Sequence, residues 1–208
     1  MPPINFRLLL VTDRHQTQGR SLRTMPQQAV KGGVPAIQLR ERDLSTPELL
    51  LLTRELQAIT APHAVPLIIN DRIDLVLALN LGGVHLRANS LPVSVARRLV
   101  GTQRLIGLST HSIEEVRQAN RDGADYVLFG PIFDTPSKRQ FGAPVGLEAL
   151  AAVCGQSVIP VFAVGGITSA LVRDVRRAGA HGVAVIGAIL TRDDAAEATS
   201  ELLVSLES

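Results

Sequence analysis

Tryptophan is absent, and aromatic residues make up only 3% of the 208-residue chain although hydrophobic residues reach 46%. A core of that composition has to be built from Val, Leu, Ile and Ala. This suits parallel strands covered by helices and argues against an aromatic-rich β sandwich. Cysteine occurs once, as Cys154, which excludes an internal disulfide and a cysteine-based metal cluster and reads as a core filler. Charge of one sign is equally scarce. The net charge is +2, from 21 Lys and Arg against 19 Asp and Glu, and no basic run is interleaved with aromatics, so a nucleic-acid partner is not expected. The sequence pI near 9.2 would draw acidic ligands only weakly. No apolar run approaches the length of a membrane span. The opening MPPINFRLLLVTDRH has neither a long apolar segment nor a small-residue cleavage pattern, so a cytoplasmic protein without a membrane partner is expected.

What is present is a rhythm. Short apolar runs at 8–12, 36–39, 67–69, 83–86, 105–108, 126–129, 161–164 and 183–186 alternate with helical patterns. Most of their starts lie roughly 20–35 residues apart, the length of a strand plus one return helix. Eight such units predict a single-domain (β/α)8 (TIM) barrel over residues 1–208, at the short end for that fold. Thr46-Pro47-Glu48 places a cap, a proline at the first helical position and an acid in the first turn. Ser112-Ile113-Glu114-Glu115 has capping-box spacing. Met25-Pro26 puts a helix start near Thr24, since proline is tolerated only in a helix's first turn.

The stretch PVFAVGGITSALVRDVRRAGAHGVAVIGAIL, residues 160–190, organises the chain. Two buried strands each end in glycine beside a helix start, which leaves backbone N–H groups free for an anion. In a barrel the loops after strands seven and eight are the usual phosphate site, so Gly165, Gly166, Ile186 and Gly187 are candidate phosphate ligands. Two turns that merely need glycine would read the same way.

The other informative positions are the carboxyl ends of the strands, where barrel chemistry gathers. Gln38, Arg40 and Arg42 alternate onto one face and form an anion clamp with two guanidiniums. Asn70-Asp71-Arg72 follows the third run, and Asp71 suits either a Mg²⁺ ligand or a helix cap. His85 alternates with apolar neighbours and reads as a core histidine. Ser109 and His111 stand at the fifth strand's end. The histidine there is a general acid–base candidate beside two hydroxyls, or a structural residue at a helix start. The long loop holding Thr135, Ser137 and Lys138 carries hydroxyls and cations suited to a phosphate or pyrophosphate.

Together the motifs QLRER, LIINDR, GVHL, GLSTHS, GADYVLFGPIFDTPSK and AVGGI…AGAHGVAVIGAI resemble the thiamine phosphate synthase/TenI family of (β/α)8 proteins, over about residues 8–190. The resemblance implies one of two activities. A synthase couples hydroxymethylpyrimidine pyrophosphate to a thiazole phosphate with Mg²⁺. Pyrophosphate leaves, and the thiazole nitrogen captures the pyrimidine cation. In that case Arg40, Arg42, Asn70, Thr135, Ser137 and Lys138 would hold pyrophosphate, Asp71 the metal, Ser109 would assist the leaving group, and the glycine loops would hold the thiazole phosphate. A TenI-type tautomerase aromatises a thiazole phosphate by a metal-free proton shift, with His111 as acid–base. Where synthases usually carry glycine, glutamine and two acids after GVHL, this chain has Arg87-Ala88-Asn89-Ser90, without a second metal carboxylate. Arg42 stands for a usual lysine and Ser137 for a usual threonine. The serine is a mild change, but the Asn89-Ser90-Leu91 run and Arg42 favour the tautomerase, with the synthase as alternative and a non-catalytic phosphate-ligand regulator as third. The family is often dimeric or higher, so a homo-oligomer is compatible with it.

Overall fold

The computed structural model describes residues 3–135 and 143–207. Among them, eight parallel strands close into a barrel in chain order: β1 (Leu8–Val11), β2 (Ile37–Leu39), β3 (Leu67–Asn70), β4 (Gly83–Leu86), β5 (Leu105–Thr110), β6 (Tyr126–Phe129), β7 (Val161–Val164) and β8 (Gly182–Val185). β8 closes onto β1, with Leu8 opposite Val183. The expected (β/α)8 fold is the observed one.

Alternation sorts the strand residues into two layers. Leu8, Leu10, Ile37, Leu39, Ile69, Val127 and Val183 lie in the apolar layer under the helices. Leu9, Val11, Ala36, Ile68, Leu128 and Ala184 turn the other way and fill the barrel. The scarce aromatics concentrate there. Tyr126 meets Phe162 edge to face at 5.6 Å, and Phe162 packs on Phe6 at 5.3 Å. Three rings therefore plug the interior below the mouth and leave its upper rim to polar side chains.

The return helices are α1 (Thr24–Lys31), α2 (Thr46–Thr60), α3 (Ile73–Leu79), α4 (Val93–Val100), α5 (Ile113–Asp122), α6 (Gly146–Cys154), α7 (Val172–Arg177) and the short α8 (Gly187–Leu190), followed by α9 (Ala195–Glu207). α9 seats against α1. A Cβ on Gly32, at the end of α1, would fall 2.3 Å from the Ala196 carbonyl oxygen, so only glycine permits that approach. α1 starts at Thr24, as Pro26 requires. The cap of α2 is Ser45, one residue before the expected Thr46. The Ser45 N–H donates to Glu48 Oε2 at 2.8 Å, and the three-residue spacing to Glu48 selects the serine over its equally cap-competent neighbour. The Ser112 side chain caps α5 by accepting from Glu115 N–H at 3.2 Å.

Two strand ends differ from expectation in ways that shape the mouth. β5 runs to Thr110 and carries Ser109 in the ladder opposite Leu128, not in a loop. β8 ends at Val185, so Ile186 lies outside it and precedes α8. Among the described residues, no helix is long and apolar enough to cross a membrane.

Candidate active site

Consecutive strands deliver the candidate side chains to one rim. Asn70 sits opposite His85, and His85 opposite Gly107, so β3, β4 and β5 present their polar residues side by side. On β2, Gln38 is 1% exposed, and its Oε1 has no hydrogen-bond partner among the described residues. A buried amide oxygen without a donor costs free energy that a bound ligand's N–H would recover. Arg40 follows it, half-buried. Burial pulls its pKa down, and the nearby charges of Arg42 and Arg87 push the same way. Neither Arg40 nor the exposed Arg42 is ion-paired among the described residues. The acids next to them are engaged elsewhere. Asp13 accepts from Gln16 Nε2 at 2.8 Å, and buried Glu41 accepts the Thr12 hydroxyl at 2.7 Å and the Arg14 N–H at 3.2 Å.

Asp71 does not take the helix-cap role open to it in the sequence. It has φ +61° and stands just before the Arg72 that precedes α3, and its side chain does not cap that helix. Its Oδ1 accepts the Ser90 hydroxyl, while its Oδ2 takes the Arg87 guanidinium and, at 3.2 Å, the Asn70 amide. The Ser90 Oγ also accepts the Arg87 backbone N–H at 2.8 Å, so its own proton is directed at Asp71. This donor set does not fit Mg²⁺, which asks for carboxylate oxygens and retained waters in an octahedral shell. Both Asp71 oxygens are already bound by protein donors, one of them cationic. Among the described residues no group of three His, Cys, Asp or Glu side chains could hold a metal. Reading the sequence for lost carboxylates missed this. The signal present was Arg87 itself, a cation standing three positions before Ser90, where the carboxylate disappears.

Below the rim runs a buried polar chain. His85 Nδ1 lies 3.2 Å from the Tyr126 hydroxyl and His85 Nε2 lies 2.9 Å from Ser109 Oγ. His85 is a core histidine, as its alternation suggests, but one bonded to a candidate catalytic hydroxyl. Burial, with Arg40 adding, pushes its pKa down to about 3, so the ring is neutral. The folded-state value lies below the ordinary 6.5, so unfolded His85 binds a proton before the folded one does. The resulting stability is complete above pH 6.5 and is lost as pH falls toward 3. Lowering pH from 7.5 to 5.5 should cost about 1.4 kcal/mol through this group, seen as a lower urea midpoint. His181, also held below its ordinary value by burial, adds in the same direction. A midpoint that does not move in that window would show that His85 is not held neutral.

His111 is exposed at the end of β5. Its Nδ1 donates to the Gly130 carbonyl at 2.6 Å, which fixes the tautomer and leaves Nε2 as the basic nitrogen. Its backbone N–H bonds Glu115 Oε2 at 2.6 Å. The loop after β6 lies on the glycine pair after β7. Ile132 N–H bonds the Val164 carbonyl at 2.9 Å, and Phe133 N–H bonds that of Gly165 at 3.1 Å. Gly165 and Gly166 have φ +100° and +66°. Cβ atoms there would meet Pro131 Cβ at 2.6 Å and the Asp134 carbonyl oxygen at 2.7 Å. This packing brings the Thr135 segment beside the glycine turn. The backbone N–H groups of Gly166 and Ile167 have no acceptor among the described residues. Gly187, following Ile186, opens α8. Ser137 and Lys138 lie outside the described residues.

Fold and mouth together define a (β/α)8-barrel protein whose rim carries, among the described residues, guanidiniums without ion pairs and a glycine turn with open N–H groups. The thiamine monophosphate synthase family model matches residues 8–189, and the chain belongs to that family. It is 43% identical to the thiamine-phosphate synthase of Chloroflexus aurantiacus, over 96% of this chain and 92% of that one. It is 40% identical to that of Clostridium novyi, over 96% and 98%. Among solved structures, the thiamine phosphate pyrophosphorylase from Pyrococcus furiosus superposes with a TM-score of 0.88 at 32% identity, covering 97% of this chain and 96% of that one. These names favour the synthase over the tautomerase that the missing carboxylate suggested.

Proposed function

We propose that this protein is a thiamine phosphate synthase, joining hydroxymethylpyrimidine pyrophosphate to a thiazole phosphate with release of pyrophosphate. The observation that carries the reading is a pair of guanidiniums, Arg40 and Arg42, at the mouth without an ion-pair partner among the described residues. Relatives bearing the synthase name support it. In this reading Arg40, Arg42, Asn70 and Thr135, with Ser137 and Lys138, hold the pyrophosphate. Gln38 Oε1 accepts an N–H of the pyrimidine below it. The N–H groups around Gly165, Gly166, Ile186 and Gly187 take the thiazole phosphate. Reaction breaks the C–O bond, whose electron pair departs with pyrophosphate, and forms an N–C bond from the thiazole nitrogen's lone pair. Ser109, held by neutral His85, hydrogen-bonds the departing oxygen. Arginine cations facing that oxygen stabilise charge as it develops.

Purified protein incubated with both substrates, with and without magnesium, should form thiamine phosphate. Absence of product under both conditions would reject the synthase. A tautomerase is the second reading, favoured by the His111 Nδ1–Gly130 bond that leaves Nε2 basic. It expects His111→Ala to abolish aromatisation of the thiazole tautomer, and an unchanged rate would remove His111 from that role.

A further inference from the structure

Arg87 is fixed on Asp71 by a closed turn. Ser90 N–H bonds the Arg87 carbonyl at 3.0 Å, the Arg87 N–H bonds Ser90 Oγ at 2.8 Å, and that hydroxyl ends on Asp71 Oδ1. The guanidinium uses Nε and Nη2 on Asp71 Oδ2, and the donors on Nη1 remain. The Arg87 side chain is 38% exposed, so the clamped arginine stays open to solvent. Arg40 directly follows β2 and Arg87 directly follows β4, so the parallel barrel sets both cations at its carboxyl rim, where Arg40 feels Arg87 as a like charge. A guanidinium held in this way presents a planar, directed donor set suited to phosphate oxygens and needs no hydration shell stripped from a metal. The carboxylate that could anchor a divalent ion is the group that instead anchors the arginine.

We propose that Arg87, clamped by Asp71 and Ser90, takes the place of a divalent cation in receiving the substrate's pyrophosphate, so that this protein binds pyrophosphate without metal. The proposal rests on the synthase reading for the identity of its ligand. It assigns positioning roles to Asp71 and Ser90, and it makes Arg87 a binding residue alongside Arg40.

The test is calorimetric titration of the full chain with inorganic pyrophosphate, once in EDTA and once with excess magnesium. The wild type should bind in EDTA. Arg87→Ala should bind at least about tenfold more weakly there, the loss of one charge-assisted contact. Magnesium should restore much of its affinity, because the freed Asp71 carboxylate can then hold the ion. Arg87→Lys, which keeps the charge, should fall between the two in EDTA, and matching urea midpoints would establish that all three proteins are folded. Binding that appears only with magnesium, no binding in either buffer, or an Arg87→Ala protein that binds like the wild type in EDTA would each overturn the proposal. Metal-free, Arg87-dependent binding in a protein that makes no thiamine phosphate would reject the synthase reading and leave the pyrophosphate site standing.

Discussion

Gly107→Ala should lower stability by about 1–3 kcal/mol and cut the kcat/KM for thiamine phosphate formation by about a hundredfold. Gly107 lies under the Tyr126–His85–Ser109 chain, and a Cβ there would fall 2.2 Å from Tyr126 Cζ and 2.5 Å from His85 Nδ1. Both rings are fully buried, and Tyr126 is hemmed in by Phe6 and Phe162, so neither can retreat without moving the aromatic plug. The methyl group therefore overpacks the interior and pushes His85 off Ser109. Urea denaturation reads the first effect and steady-state kinetics the second. Tyr126→Phe separates them: it removes only the hydroxyl and its 3.2 Å bond to His85, so it should keep the packing and lose activity more than stability. A Gly107→Ala protein with wild-type kcat/KM would show that the buried chain does not position Ser109.

Much of the barrel is legible in the sequence because its strands are buried on both faces. Runs such as Tyr126–Phe129 and Val161–Val164 are continuous apolar segments, each followed by glycine, whose ends coincide with the observed strands. Of the ends that shifted, two at the mouth did so for local reasons. Ser109 and Thr110 are polar but pair with β6, and Ile186 is apolar but turns out of β8 to precede α8. The site was legible as a set of strand-end residues and not as a set of contacts. Arg87 meets Asp71 across 16 positions, and only the register that puts Asn70 beside His85 makes them neighbours. The chain from Tyr126 to His85 to Ser109 joins three strands in the same way, so alternation could give the burial of His85 but not its partner. The tautomerase reading followed from counting carboxylates one by one. In the synthase reading proposed above, Arg87 supplies from within the same turn the charge that the missing acids would have attracted.

Arg40→Ala should lower kcat/KM for thiamine phosphate formation about tenfold to two-hundredfold, the loss of a charge-assisted contact of about 1.5–3 kcal/mol. Arg40 differs from Arg87 in having no ion-pair partner among the described residues, so its removal breaks no ion pair there. The guanidinium is partly desolvated and faces like charges from Arg42 and Arg87, a cost the folded protein carries without a bound anion. Stability should therefore stay within about 0.5 kcal/mol of the wild type or rise, while activity falls. Activity and stability moving in opposite directions is what an anion-binding arginine predicts and a structural one does not. The partition between kinetic constants carries more information. Negative charge grows on the pyrophosphate as the C–O bond breaks, so Arg40 binds the departing group more tightly than the intact substrate, and kcat should fall along with the rise in KM. Arg40→Lys keeps the charge but not the planar fork, and should recover part of the loss. If only KM rises, Arg40 holds the pyrophosphate without stabilising its departure, and that task passes to Arg87 and Ser109. If Arg40→Ala is as active as the wild type, the pyrophosphate does not lie against β2.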